Sequence, residues 1–226
     1  ADANTKKKAM EKAENDYLSE ARNIVAKSEW KTTSGATLKS KSSKAALKKV
    51  DGYEEIQIVG NKVNNTVFEL TWIPDVKQIE ALKLTVLPED IKKAVSQSED
   101  GCVLSHVSLK ITKNDGSTED VVIKHVIPDS MESNLYVRDS LNQKSSSGWG
   151  PFSKMFHPRW AVLVPEKTIS MDGVKTVTVS MSYRMNYLSG MVLVPKRSRV
   201  EVTSSDAWAN WREVGLQQLK NYGDTR

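Results

Sequence analysis

Residues 174–185 read VKTVTVSMSYRM. Val177, Val179, Met181, Tyr183 and Met185 alternate there with Thr176, Thr178, Ser180, Ser182 and Arg184. Successive side chains of a strand point to opposite faces, so this alternation predicts a strand with one apolar and one wet face. Thr66, Phe68, Leu70 and Trp72 share the period, as do Leu82, Leu84 and Val86, and Val103, Ser105, Val107, Leu109 and Ile111. Strands are expected over 53–59, 63–72, 80–87, 102–112, 119–127, 133–138, 159–165, 174–185 and 191–202. Asn114-Asp115-Gly116 supplies a turn between two of them, from residues that tolerate positive φ. Eight or nine short strands in about 150 residues, without regular helical crossovers, predict an all-β fold: an antiparallel β-sandwich of jelly-roll type.

Helices are expected at both ends of this block. In residues 5–28, Met10, Ala13, Tyr17, Ala21 and Ile24 fall at helical spacing, with lysines and glutamates on the other face. The stripe is narrow, which predicts docking on a partner or a neighbouring copy. A second helix is expected at 205–220, capped by Ser204 or Ser205, with Trp208, Trp211, Gly215 and Leu219 along one side. A short helix over 89–96 follows Pro88. The organisation is then a basic helical and flexible N-terminal arm at 1–50, a β-domain at 51–203, and a C-terminal helix and tail at 204–226.

The arm carries the charge signal. Lys31 to Val50, KTTSGATLKSKSSKAALKKV, holds six lysines and no carboxylate. The first fifty residues have twelve Lys/Arg against six Asp/Glu, while the whole chain is only +5. A basic, Ser/Thr-rich segment ahead of a near-neutral β-block points to a polyanionic partner, since exposed lysines contact phosphates without reading sequence. Lys39, Lys41, Lys44, Lys48 and Lys49 are the candidate phosphate contacts. Arg197 and Arg199 are candidates to extend the track, because alternation places them with Glu201 on a wet cationic stripe opposite Val200 and Val202.

Enzyme signatures are absent. There is no glycine-rich phosphate loop ahead of a helix, no GxSxG and no HExxH. His106, His125 and His157 lie too far apart for a short-spaced zinc site. Neither a catalytic residue, nor a metal ligand, nor a cofactor is expected. Cys102 is the single cysteine, which excludes an internal disulfide and suits a reducing compartment. The first residues, ADANTKKKAMEKAEND, lack the apolar stretch of a secretory signal, and no apolar run approaches the ~20 residues that span a bilayer. Trp72 and Trp160 read as core residues. Trp149, in the loop-like QKSSSGWGP of 143–151, reads first as loop packing and second as a platform for a base or partner. Glu54-Glu55 and Glu119-Asp120 read as edge charges that discourage aggregation.

Three segments together resemble the thirty-kilodalton superfamily of plant-virus movement proteins. LKLTVLPEDIKKAVSQSEDGCVLSHVSLKI, 82–111, looks like its opening strand, Leu-Pro, short helix and following strand. EDVVIKHVIPDSM, 119–131, ends a hydrophobic strand in an aspartate, and Asp129 matches the most characteristic position of that family. KTVTVSMSYRMNYLSGMVLVPKRSRVEV, 175–202, looks like its late strand, with Tyr183, Arg184 and Asn186 at the end. The resemblance implies cooperative, sequence-independent binding of viral single-stranded nucleic acid, RNA before DNA, and its movement between plant cells. It implies host membrane and plasmodesmal partners, and a location in host cytoplasm and cell junctions; self-association is expected through the terminal helices and exposed strand edges. It also implies that Asp129 serves fold or function and does not bind RNA.

Two other readings stay open. The basic arm resembles that of jelly-roll coat proteins of small plant viruses, where it neutralises packaged RNA inside a virion. A cellular β-sandwich interaction module with an incidental basic arm is the third.

Overall fold

The fold comes from a computed structural model that describes residues 2–132, 135–145, 147–184 and 190–212. Asp2 accepts a hydrogen bond from the Asn4 backbone, and no Gly or Pro interrupts the following run, so helix α1 forms over Ala3–Lys27. Strands β1 (Lys31–Thr32), β2 (Thr37–Lys41), β3 (Ala45–Val50), β4 (Tyr53–Ile58), β5 (Thr66–Trp72), β6 (Gln78–Ile79) and β7 (Ala81–Leu87) follow. After α2 (Ile91–Ala94) come β8 (Glu99–Asp100), β9 (Leu104–Lys113), β10 (Thr118–Val121) and β11 (Ile123–Pro128). A 3₁₀ turn at Val137–Leu141 precedes β12 (Lys154–Met155), β13 (Arg159–Pro165), β14 (Ile169–Ser170), β15 (Val174–Tyr183) and β16 (Arg197–Thr203). Residues 206–212 are helical.

Two antiparallel sheets share the core. One runs β11-β13-β7-β16-β4-β3, with β1 also on β16; the other runs β10-β9-β15-β5-β2. The alternating residues of β15 decide the packing. Val179 lies opposite Leu70 and Leu109, and Met181 opposite Phe68 and Val107, which puts an apolar row across three strands. That face meets Leu82, Leu84, Val86, Leu163, Val200 and Val202 of the other sheet in one buried cluster. Phe68 and Tyr183 meet edge to face, 5.9 Å between centroids.

Several expected elements take a different form. The lysine-rich stretch at 31–50, read as a flexible linker, is β1, β2 and β3, with β2 paired to β5 and β3 to β4. Asp51 and Gly52 both have positive φ, 49° and 84°, and turn β3 directly into β4 as a tight hairpin. Ser43, buried between β2 and β3, shares hydrogen bonds with Thr66 and Val63, so its serines serve a fixed turn. The single strand expected at 119–127 is β10 and β11, which belong to different sheets; the chain crosses at Val122. No strand forms at 135–138, where the 3₁₀ turn begins. The last strand starts only at Arg197, since Pro195 has no N–H to give a ladder.

α1 docks on its own chain rather than on a partner. Tyr17, Leu18 and Ala21 pack with Ile127, Val162 and Val164 on the outer face of the larger sheet. The 206–212 helix joins them: Tyr17 and Trp211 lie 5.1 Å apart, and the Trp208 indole donates to Ser28 Oγ at 2.9 Å. Arg212 closes the latch on buried Glu80. The first half of α1, Met10 included, stays exposed. Gly215 and Leu219 lie outside the described residues.

The segment 148–151 is woven into the sandwich. Leu104 and Trp149 exchange backbone hydrogen bonds at 2.6 and 3.1 Å, and Cys102 donates to Pro151. A Cβ on Gly148 would lie 1.9 Å from the Leu104 carbonyl oxygen, and one on Gly150 2.0 Å from that of Cys102. Both contacts are with backbone, which has nowhere to go in a packed interior. Gly148→Ala and Gly150→Ala are each expected to cost more than about 2 kcal/mol. Urea-unfolding midpoints measure this; a midpoint unchanged from the parent would show that the segment is not held against β9.

Candidate nucleic-acid interface

The five arm lysines occupy the sandwich margin where both sheets end. Lys39 and Lys41 lie on β2, Lys44 in the turn, and Lys48 and Lys49 on β3. Leu38 and Leu47 pack against the core, which puts Lys39, Lys41 and Lys48 on the outward faces of their strands. All five are exposed, and among the described residues none makes an ion pair. Lys39 stands opposite Glu69, Lys48 opposite Glu55 and Lys49 opposite Glu54 in the ladders. Two of those three carboxylates are already occupied elsewhere.

Glu54 and Glu55 are buried within β4, so they are not edge charges. A buried carboxylate needs hydrogen-bonded partners. Glu54 accepts from the backbone of Gly35 at 3.0 Å and Ala36 at 3.3 Å, pinning the chain just before β2. Glu55 accepts from Arg197 Nε at 2.8 Å and Nη2 at 2.9 Å, a bidentate pair.

Arg197 and Arg199 do not form the wet stripe expected of them. Arg197 is spent on Glu55, with further donation to the Glu89 carbonyl. Arg199 stacks over the Tyr53 ring at 3.7 Å and lies 3.9 Å from Glu201. Glu201 in turn holds Lys83 at 3.2 Å, and Lys83 sits 4.6 Å from the Trp30 ring. Burial pulls the Lys83 ammonium below the ordinary lysine value against the opposing pull of Glu201. The alternation of β16 holds, but the face it defines is a partly covered ladder of paired charges across β7, β16 and β4. The sequence signal for it is the alternation of Tyr53, Glu55 and Gln57 along β4, which sets three polar groups on the face that Arg197 and Arg199 share.

Asp129 ends β11 as a structural hub. Its carboxylate accepts from Arg159 Nε at 2.8 Å and from the Trp160 and Ser130 backbones at 3.2 and 2.8 Å. Its carbonyl accepts twice from Arg22 of α1, at 3.0 and 2.7 Å. Arg159 also donates to Glu132 and to Ser130 Oγ. One residue thus ties α1, the end of β11 and the start of β13. Arg184 donates to the carbonyls of Gln143 and Ser145, Tyr183 is buried, and Asn186 lies outside the described residues.

The remaining candidates read as structure. Trp149 is fully buried, so it offers no stacking platform. Burial pushes the Cys102 thiol up to about 12, which leaves no thiolate at neutral pH. Burial and the nearby Lys124 and Arg138 charges push His125 down to about 4. Among the described residues no group of three or more His, Cys, Asp or Glu is placed to hold a metal ion, and no helix is long and apolar enough to cross a membrane. No protein-family model matches the chain, and no curated protein matches it.

The Glu55–Arg197 pair has a signed pH dependence. Burial raises the Glu55 carboxyl, but Arg197 and Gln57 outweigh it and hold it below the ordinary 4.5. The pair's stabilisation is therefore complete above that value and lost as pH falls through the lowered one. Arg197→Ala leaves Glu55 buried with Gln57 but without its bidentate cation, at a cost of about 3 kcal/mol near neutrality. In the variant burial raises the carboxyl, so protonation relieves it and the gap from the parent narrows in acid. Urea unfolding at neutral pH and in mild acid checks this; a gap independent of pH would remove the pair from the account.

Proposed function

We propose that this protein is a viral single-stranded nucleic-acid-binding protein that carries a plant-virus genome between cells. The observation that carries the reading is the group of five exposed lysines on β2, β3 and their turn, none of which makes an ion pair among the described residues. They stand on or between paired strands, while the other candidate cations, Arg197 and Arg199, are held in internal contacts. A row of this kind contacts phosphates in sequence, releases counterions and gives affinity without base readout. The ordered motif resemblance at 82–202 supports the movement-protein assignment, and two packed antiparallel sheets support a sandwich of jelly-roll type. On this reading Asp129 holds the fold together and touches no nucleic acid.

The coat-protein reading rests on a basic arm that hangs free of the sandwich. Here the lysines belong to strands β2 and β3, which favours the movement-protein reading over it. Host membrane and plasmodesmal components remain the partners that the resemblance implies, with cell junctions as the site of action.

Changing Lys39, Lys41, Lys44, Lys48 and Lys49 together to Gln is expected to weaken binding of all single-stranded RNAs alike. The slope of log affinity against log salt should flatten by roughly 0.7 per lysine. Asp129→Ala is expected to lower the unfolding midpoint while leaving that slope as it was. Fluorescence-anisotropy titrations across a salt series measure both. An unchanged slope in the lysine variant would move the nucleic-acid site elsewhere, and a flattened slope in folded Asp129→Ala would place Asp129 in it.

A further inference from the structure

The five-stranded sheet has two open ends. Among the described residues β2 pairs there only with β5, and β10 only with β9. An edge strand offers a row of unpaired N–H and C=O groups that another strand can complete, and charged side chains are the usual guard against it. Both ends are charged here, with opposite sign. β2 carries exposed Lys39 and Lys41 and no carboxylate. β10 carries exposed Glu119 and Asp120 and no cation.

The surroundings of β10 extend its sign. Beside it runs a groove of about 380 Å³ in which Glu119, Asp120, Glu166 and Asp172 face Lys113 and Lys167. Lys113 holds Glu119 at 3.1 Å and Lys124 holds Glu166 at 3.7 Å, while Asp120 and Asp172 make no ion pair among the described residues. Val122, where the chain leaves β10, is 59% exposed.

Faces as well as signs agree. Leu38 packs inward from β2, so Lys39 and Lys41 lie on the outer face of the sheet. Val121 packs inward from β10, so Asp120 lies on that same outer face, opposite Lys110. A sheet continued from one molecule to the next keeps its faces, which brings Asp120 beside Lys39 and Lys41. Pairing β2 with β2 sets lysine against lysine, and pairing β10 with β10 sets carboxylate against carboxylate. The charges therefore guard against both symmetric contacts and permit the unlike one.

We propose that copies of this chain associate head to tail, with β10 of one against β2 of the next, so that the five-stranded sheet runs on through the assembly. Such a contact is heterologous. It closes into a ring or extends into a filament according to the rotation per step. It uses Lys39 and Lys41 and leaves Lys44, Lys48 and Lys49 on the adjoining strand and turn.

Sedimentation velocity on the full chain, free of nucleic acid, tests this independently of the polyanion reading. At low salt the sedimentation coefficient should rise with protein concentration, and at high salt it should return to the monomer value. Lys39→Glu/Lys41→Glu and Glu119→Lys/Asp120→Lys, each verified as folded by circular dichroism, should both stay monomeric. Their equimolar mixture should recover the concentration dependence of the parent, because each supplies the sign that the other lost. A parent that stays monomeric at every concentration overturns the proposal. So do reversal variants that assemble as the parent does, or a folded mixture that fails to recover assembly.

Discussion

Two adjacent buried carboxylates on β4 govern how this molecule spends its charge. Glu54 and Glu55 leave water when the strand enters the larger sheet, and each must be satisfied there. Glu54 does so through the backbone at Gly35 and Ala36, which fixes where β2 begins. Glu55 does so through Arg197 of β16, which fixes the register of β16 on β4. Arg197 is thereby drawn into the sheet's covered face. The arm lysines at the margin make no ion pair among the described residues, so they, and not Arg197, are the cations on offer there.

The strands were legible wherever one face is wet. β5, β9 and β15 match their alternation closely, because a half-buried antiparallel strand must repeat every second residue, whereas β7 and β13, packed on their outer face by the helices, are buried on both sides. The arm was not legible, for a physical reason. KTTSGATLKSKSSK has the composition of a linker, but its Gly and Ser are bound into specific turns at Gly35 and Ser43. The dipeptide Asp51-Gly52 between two β-compatible runs is the signal that identifies the β3–β4 hairpin, and it sits at the boundary where the domain was divided.

The candidate site was legible in part. The arm lysines could be named from charge alone, since the stretch from Lys31 to Val50 holds no carboxylate. The fate of Arg197 and Arg199 was not, because their partners Glu55 and Tyr53 lie more than 140 residues away in the chain. Asp129 shows the same limit: its place at the end of a strand is visible in sequence, but its ties to Arg22, Arg159 and Trp160 belong to the tertiary fold.

The position of β16 has a consequence for the order of synthesis. This strand lies between β7 on one side and β4 on the other, so it joins the two halves of the larger sheet. Until residues 197–203 have left the ribosome, β11-β13-β7 and β4-β3 are separate ribbons with open edges and an unfilled strip of core. The sandwich therefore closes only by insertion of a central strand from far along the chain. Contacts of such long sequence separation form slowly, and in that interval the nascent chain depends on whatever shields its exposed edges.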